Sequence, residues 1–277
     1  LGRKIHLNES DKRIMTLAGM SAAFAALFGT PMAAALFPME VISVGIMYYA
    51  ALVPCVFSAF IGERISILMG VRTLTAPYPV EKVPNFYGIA WGKAILLAIC
   101  FAFAGALFCV MLHIFEKQLK KWFQNPYLRV FVGGVTVVLL WKITGTDTYL
   151  GLGGGTIAQS FAESQKLWVF LLKILFTCIP LCSGFKGGEI VPSLFIGATF
   201  GSALAPIFGL PVDICAACGM VGVFCAVTNS PISSLLIAFE LFGFAGMPYF
   251  CTVIAVSYLL SGYQSLYKAQ KIVYSKT

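Results

Sequence analysis

Apolar residues run through this chain in long stretches that no charge interrupts. Residues 41–62, 94–112, 190–212, 214–239 and 241–267 contain no Asp, Glu, Lys or Arg. A helix crossing a bilayer needs about 20 such residues, and each stretch has roughly that length or more. Several carry an internal Pro, so they are read as pairs of shorter helices. Along the whole chain the pattern predicts helices at about 13–29, 31–41, 44–69, 90–121, 127–144, 156–164, 167–182, 189–206, 214–228, 231–243, 247–261 and 263–273. Asn8-Glu9-Ser10-Asp11, polar and placed before the first apolar run, is a helix-start signal. Residues 71–87, with Pro77, Pro79 and Pro84, read as an exposed loop, and the Gly- and Thr-rich residues 145–155 as irregular. No period-two β pattern is visible, and many of the predicted helices are too short to span a membrane.

Two of the broken stretches repeat one another at an offset of 200 residues. Gly19, Met20, Phe24, Ala26, Pro31, Leu36 and Glu40 recur as Gly219, Met220, Phe224, Ala226, Pro231, Leu236 and Glu240 without a gap. Each copy is an apolar piece, a small-residue–Pro break (Thr30-Pro31, Ser230-Pro231) and a short apolar piece ending in Glu. Paired, Pro-interrupted apolar segments in the two halves of a membrane protein point to a transporter built from an inverted repeat. Residues 1–121 are read as part of a first repeat and residues 122–277 as the second.

Composition agrees with a membrane protein: 59% hydrophobic, 11% charged, mean hydropathy +0.90. The net charge of +8 is not a nucleic-acid signal, because the basic residues sit between apolar runs rather than on one folded face. Lys117, Lys120, Lys121 and Arg129 cluster at one connection, and Lys268, Lys271 and Lys276 lie near the C-terminal end; both groups are placed on the cytoplasmic side. Trp122, Phe123 and Tyr127 beside the first cluster suit an aromatic belt. The nine Cys residues lack metal-ligand spacing and read as small buried hydrophobes. His6 and His113 are isolated, residues 151–155 are not followed by the Gly-Lys-Ser/Thr of a P-loop, and no nucleophile–base pair stands out. These observations argue against an enzyme and call for no cofactor. Lys173 and Lys142 are read as held by structural partners or snorkelling. Glu40 and Glu240, equivalent in the two copies, read as scaffold.

The short helices carry a chemical consequence. A helix that starts inside a membrane leaves unpaired N–H groups and a partial positive charge, which favour an anion. The segment Ser183-Gly184-Phe185-Lys186-Gly187-Gly188-Glu189-Ile190-Val191-Pro192 has this form: glycines that bare the backbone, then a helix with Pro in its first turn, and Lys186 to add charge.

This segment resembles the Gly-Gly-x-Phe-x-Pro element of the CLC chloride channels and transporters. Further resemblances follow in family order: residues 18–40 are similar to helices G and H, residues 151–155 to the glycine-rich approach to helix L, and Ser261-Gly262-Tyr263-Gln264-Ser265-Leu266-Tyr267 to the last helix. The resemblance implies an all-α, inverted-repeat membrane fold and a homodimer with one pore per subunit, its dimer face near residues 31–69 and 231–261. It implies an anion site at Gly188 and the amides of Glu189 and Ile190, with the Tyr267 hydroxyl as a further contact. An interface-belt Tyr and a carboxylate capping its own helix are the alternatives for Tyr267 and Glu189.

The departures from the family pattern narrow the reading. Val41 follows Glu40 where chloride/proton antiporters of the family carry an internal proton-transfer Glu, and Ile190 stands at the usual Phe. A Gly-Gly-Glu here resembles the fluoride/proton antiporter branch, CLC-F. A carboxylate beside an anion repels it unless it takes a proton as the anion arrives, which is what coupling requires. Fluoride export coupled to proton import, in a bacterial inner membrane, is therefore expected, with Glu189 as the proton-coupling group. A chloride channel or chloride/proton antiporter is the alternative. The family's gating Glu, in a Gly-x-x-Glu-Gly element, would fall about 12 residues before Leu1 by the repeat offset, and Leu1-Gly2-Arg3-Lys4 looks like the continuation of a longer chain; without the gate, transport is not expected of this stretch alone.

Overall fold

A computed structural model describes residues 8–71, 78, 80–267 and 270–273. The residues Leu1 to Lys4, His6, Pro77, Pro79, Lys268 and Lys276, discussed above, lie outside these. Eleven α-helices account for most of the described chain: α1 Glu9–Phe28, α2 Pro31–Ile42, α3 Leu52–Leu68, α4 Ile89–Trp122, α5 Pro126–Thr144, α6 Gly154–Ala162, α7 Trp168–Ser183, α8 Ile190–Phe208, α9 Val212–Thr228, α10 Pro231–Phe242 and α11 Met247–Leu260. Four apolar stretches (Tyr49–Leu68, α4, α5 and α8) are long enough to cross a bilayer, and five further apolar helices are shorter. This is an all-α, multi-pass membrane protein.

Local signals place most helix ends. Asn8 accepts from the Asp11 amide and caps α1, and Asn125 accepts from the Tyr127 amide and caps α5, with Pro126 behind it. The first repeat copy is α1–α2 and the second α9–α10. Their breaks share one backbone course: Gly29 and Asn229 are both left-handed (φ 68° and 57°), and Thr30 and Ser230 follow at φ −125° and −121°. The repeat therefore holds in geometry even where the residues differ. Asn229 alone among described non-glycine residues takes positive φ, a position Asn tolerates better than most.

Neither Thr30 nor Ser230 caps the helix that follows it. The other repeat does so instead. Glu40, at the end of α2, accepts from the amides of Ile232 (2.9 Å) and Ser233 (2.8 Å) and from the Ser233 hydroxyl (2.6 Å). Glu240, at the end of α10, accepts from the amides of Met32 (2.8 Å) and Ala33 (2.9 Å). Each carboxylate satisfies orphan N–H groups of the opposite half and lies at the positive end of that helix dipole. The scaffold reading of both residues holds, and its mechanism is reciprocal capping.

Between α8 and α9 the backbones approach through glycine. A Cβ on Gly219 would run into the Gly197 carbonyl and the Gly201 backbone, and one on Gly197 into Gly219. Close contact through small residues is how membrane helices gain dispersion energy without a hydrophobic drive. Gly219→Ala is expected to cost about 1–3 kcal/mol, seen as earlier loss of the monodisperse species when detergent-solubilised protein is heated. An unchanged profile would mean the crossing can open without cost.

Three expectations are corrected. The helix predicted at 44–69 begins only at Leu52: residues 43–44 are extended and Tyr49–Ala51 form a 3-10 turn. A short parallel pair, β1 (Ser43–Val44) and β2 (Lys271–Ile272), joins the α2–α3 connection to the C-terminal segment; two residues per strand leave no period to read. The helix predicted at 263–273 is absent among the described residues. After a turn at Ser261–Tyr263 the backbone is irregular, because its amides bond to distant groups: Leu266 N–H to Val227 O (3.0 Å) and Val273 N–H to Val44 O (3.2 Å).

Candidate functional site

Helix α7 ends at Ser183, where Gly184 turns left-handed (φ 113°) and reverses the chain. The loop that follows is largely exposed and delivers Glu189 as the residue immediately before α8. A Cβ at Gly187 would meet the end of the Leu181 side chain (2.9 Å to Cδ2), which would have to shift, whereas beside Gly188 there is open space. Pro192 stands in the first turn, where its missing N–H costs nothing. The Glu189 side chain makes no capping bond to its own helix, so the capping alternative is not what the geometry displays.

Gly188, Glu189, Ile190 and Tyr267 all line one cavity of about 960 Å³. The residues singled out in the sequence are therefore brought together, from positions about 80 residues apart. The start of α8 brings its first-turn amides and the positive end of its helix dipole to one wall. Tyr267 reaches the cavity from the irregular C-terminal segment, held by Leu266 N–H on Val227 O and by its own amide on Ser265 Oγ (3.1 Å). Phe24, Phe28 and Phe37 from the first repeat copy make an apolar wall. A dry wall beside a few oriented donors strengthens whatever charge interaction the donors make.

Lys186 is exposed and does not line the cavity, contrary to its expected part in the site. The cations at the cavity are Arg129 and Lys120. Arg129 donates Nε–H to Ser183 O (3.3 Å), which ties the start of α5 to the end of α7. Lys120 pairs with Glu116 at 2.6 Å, one turn earlier on α4. Both cations belong to the basic cluster seen in the sequence; that cluster marked a side of the membrane but not a cavity mouth. Lys173 is fully buried. It donates to Tyr149 O (3.2 Å) and Gly151 O (2.8 Å) and lies 4.8 Å over the Phe195 ring, so structural partners account for it. Among the described residues there is no cluster of His, Cys, Asp or Glu fit to hold a metal.

Residues 1–262 match the family profile described as voltage gated chloride channel. The chain belongs to the CLC family. A "Chloride/fluoride channel protein" of Pseudomonas syringae pv. tomato is 37% identical over 276 residues, covering 98% of this chain and 61% of that protein. Among solved structures, that of a CLC-type fluoride/proton antiporter superposes with a TM-score of 0.89 at 33% identity, over 94% of this chain and 65% of the antiporter. A slow cyanobacterial Cl⁻/H⁺ antiporter superposes with a TM-score of 0.74 at 22% identity, over 94% of this chain and 64% of the other, which speaks to the fold alone. This CLC chain stands near the CLC-F branch and spans somewhat under two thirds of the length of these relatives. The helix pairs read from the sequence as similar to helices G and H are α1 and α2.

Proposed function

We propose that the protein is an anion transporter that moves fluoride out of the cell in exchange for protons. The observation that carries this reading is the convergence of Glu189, the glycine-led helix start at Gly188–Ile190 and Tyr267 on one cavity. A helix start and a phenolic hydroxyl suit a small, strongly hydrated anion that must be given donors to replace water. A carboxylate in the same cavity suits an anion only if it is protonated on the anion's arrival, and that requirement is the coupling. The likeness to a CLC-type fluoride/proton antiporter supports fluoride as the anion. Val41 removes the second, internal carboxylate, so Glu189 carries the proton on the cavity side.

The remaining elements of the reading follow from the family and from charge. Residues 1–121 are read as the remainder of a first repeat and residues 122–277 as the second, inverted repeat. The basic side of the cavity, with Arg129 and Lys120, faces the cytoplasm of a bacterial inner membrane. Two copies pair through the faces of α2, α3, α10 and α11; α3 presents exposed Phe57 and Ile61 for burial by a partner or by lipid. A proteoliposome assay on the full-length protein tests the anion: fluoride efflux is expected to exceed chloride efflux by at least tenfold, and equal or faster chloride efflux would favour the chloride reading.

A further inference from the structure

The backbone that carries Tyr267 is not helical, so its own hydrogen bonds do not fix it; a few anchors do. Leu266 N–H on Val227 O holds one side. On the other side stands Gln270, whose amide N–H accepts no role in a helix but donates to Tyr267 O at 3.1 Å. Its side-chain Nε2 donates to Val41 O and to Thr228 O, both at 2.7 Å, and its Oε1 accepts from Asn229 Nδ2 at 2.9 Å. Val41 lies in the last turn of α2 and Thr228 ends α9. Both are carbonyls that a helix end leaves without an intrahelical partner. One side-chain amide therefore joins the end of a first-repeat helix, the break of the second repeat and the Tyr267 segment.

Asn229 completes the join. It is fully buried, sits at the left-handed break, donates from the same Nδ2 to Gln264 O at 3.0 Å, and accepts from Ser261 Oγ at 3.3 Å. Every polar atom of the Gln270 side chain is thus engaged, and each bond runs to backbone or side chain at a helix terminus. Tyr267 lies between the Leu266 anchor and the Gln270 anchor.

We propose that Gln270 is a positioning residue for transport: it sets where the Tyr267 hydroxyl stands in the anion cavity by pinning the Tyr267 segment to the ends of α2 and α9. The proposal rests on the reading of Tyr267 as an anion contact. Without the Gln270 side chain the far side of the segment keeps only the short β1–β2 pair and the Val273 amide bond that follows it, while the helices and their core keep their packing. The consequence falls on anion handling rather than on folding.

The test uses the full-length protein in proteoliposomes, with fluoride efflux and the fluoride-to-chloride rate ratio as readouts. Gln270→Met keeps the length and removes all three side-chain bonds. It is expected to lower fluoride efflux about tenfold, as small misplacements of a working group do, and to change the rate ratio, with an unchanged elution profile and a melting temperature lowered by only a few degrees for the bonds lost. Should Gln270→Met not yield folded protein, Gln270→Asn, too short to reach both carbonyls, carries the same expectation. In the double variant with Tyr267→Phe no further loss is expected beyond Tyr267→Phe alone, because the hydroxyl being positioned is gone. Wild-type efflux in the Gln270 variants, or losses that multiply in the double variant, would overturn the positioning role while an impaired Tyr267→Phe leaves the anion-contact reading standing. A Tyr267→Phe variant with unaltered efflux and rate ratio would overturn that reading and this one together.

Discussion

Glu189→Gln is expected to cut fluoride-driven proton movement about a hundredfold, the scale on which a positioned proton-transfer group acts, while leaving a measurable fluoride leak. Gln has nearly the same shape and remains neutral, so it imposes no repulsion on an anion at the start of α8. It cannot take up or release a proton. The two effects separate the roles proposed for the site, binding by the amides and Tyr267 and coupling by the carboxylate. The geometry supports the separation, since Glu189 lines the cavity and makes no capping bond to its own helix. A structural carboxylate would give a different result, namely lost protein with both fluxes reduced in parallel. The check is simultaneous recording of internal pH and external fluoride in proteoliposomes of the full-length protein. Proton movement at the wild-type rate in Glu189→Gln would take the coupling role away from this residue.

The second large effect is on stability. Glu40→Ala is expected to cost about 3–5 kcal/mol, from the loss of three hydrogen bonds to one charged group at a buried helix start. Glu40 accepts from two amides and a hydroxyl of α10 and is 7% exposed. Its counterpart Glu240 accepts from two amides of α2 and is more open. Glu240→Ala is therefore expected to cost about half as much. Thermal unfolding in detergent followed by size exclusion ranks the two. Equal costs would mean that the burial difference does not matter, and a Glu40→Ala protein as stable as wild type would remove the reciprocal capping from the account of the fold. Glu40→Gln, which keeps one acceptor oxygen but not the charge, is expected to fall between Glu40→Ala and wild type.

Much of this was legible because the signals are local. Pro31 and Pro231 mark helix starts, Asn8 marks a cap, and Gly187-Gly188-Glu189 before an apolar run marks an anion-directed helix start. The repeat was legible as identities at a fixed offset. What those identities do was only half legible: Glu40 and Glu240 read as scaffold, but that each caps the other repeat's helix requires the two halves to be placed face to face. The composition of the C-terminal segment permits a helix, and the pattern predicts one at 263–273 that does not form among the described residues. Its amides go instead to Val227 and Val44, partners 39 and 229 residues away by the sequence numbers 266 − 227 and 273 − 44. Gln270 gave no signal at all, being a single polar residue among Lys and Ala in a short tail. Arg129 and Lys120 were seen as a charge cluster, whereas their place at the cavity depends on how α4 and α5 lean against α7.

The central claim is that anion and proton move in exchange through the cavity shared by Glu189 and Tyr267. The most direct measurement imposes an outward fluoride gradient on sealed proteoliposomes of the full-length protein, with no pH difference and the membrane voltage clamped, and follows the internal pH. The account predicts internal acidification as fluoride leaves, abolished in Glu189→Gln. Fluoride efflux with no pH change in the wild-type protein would contradict it and leave a channel in its place.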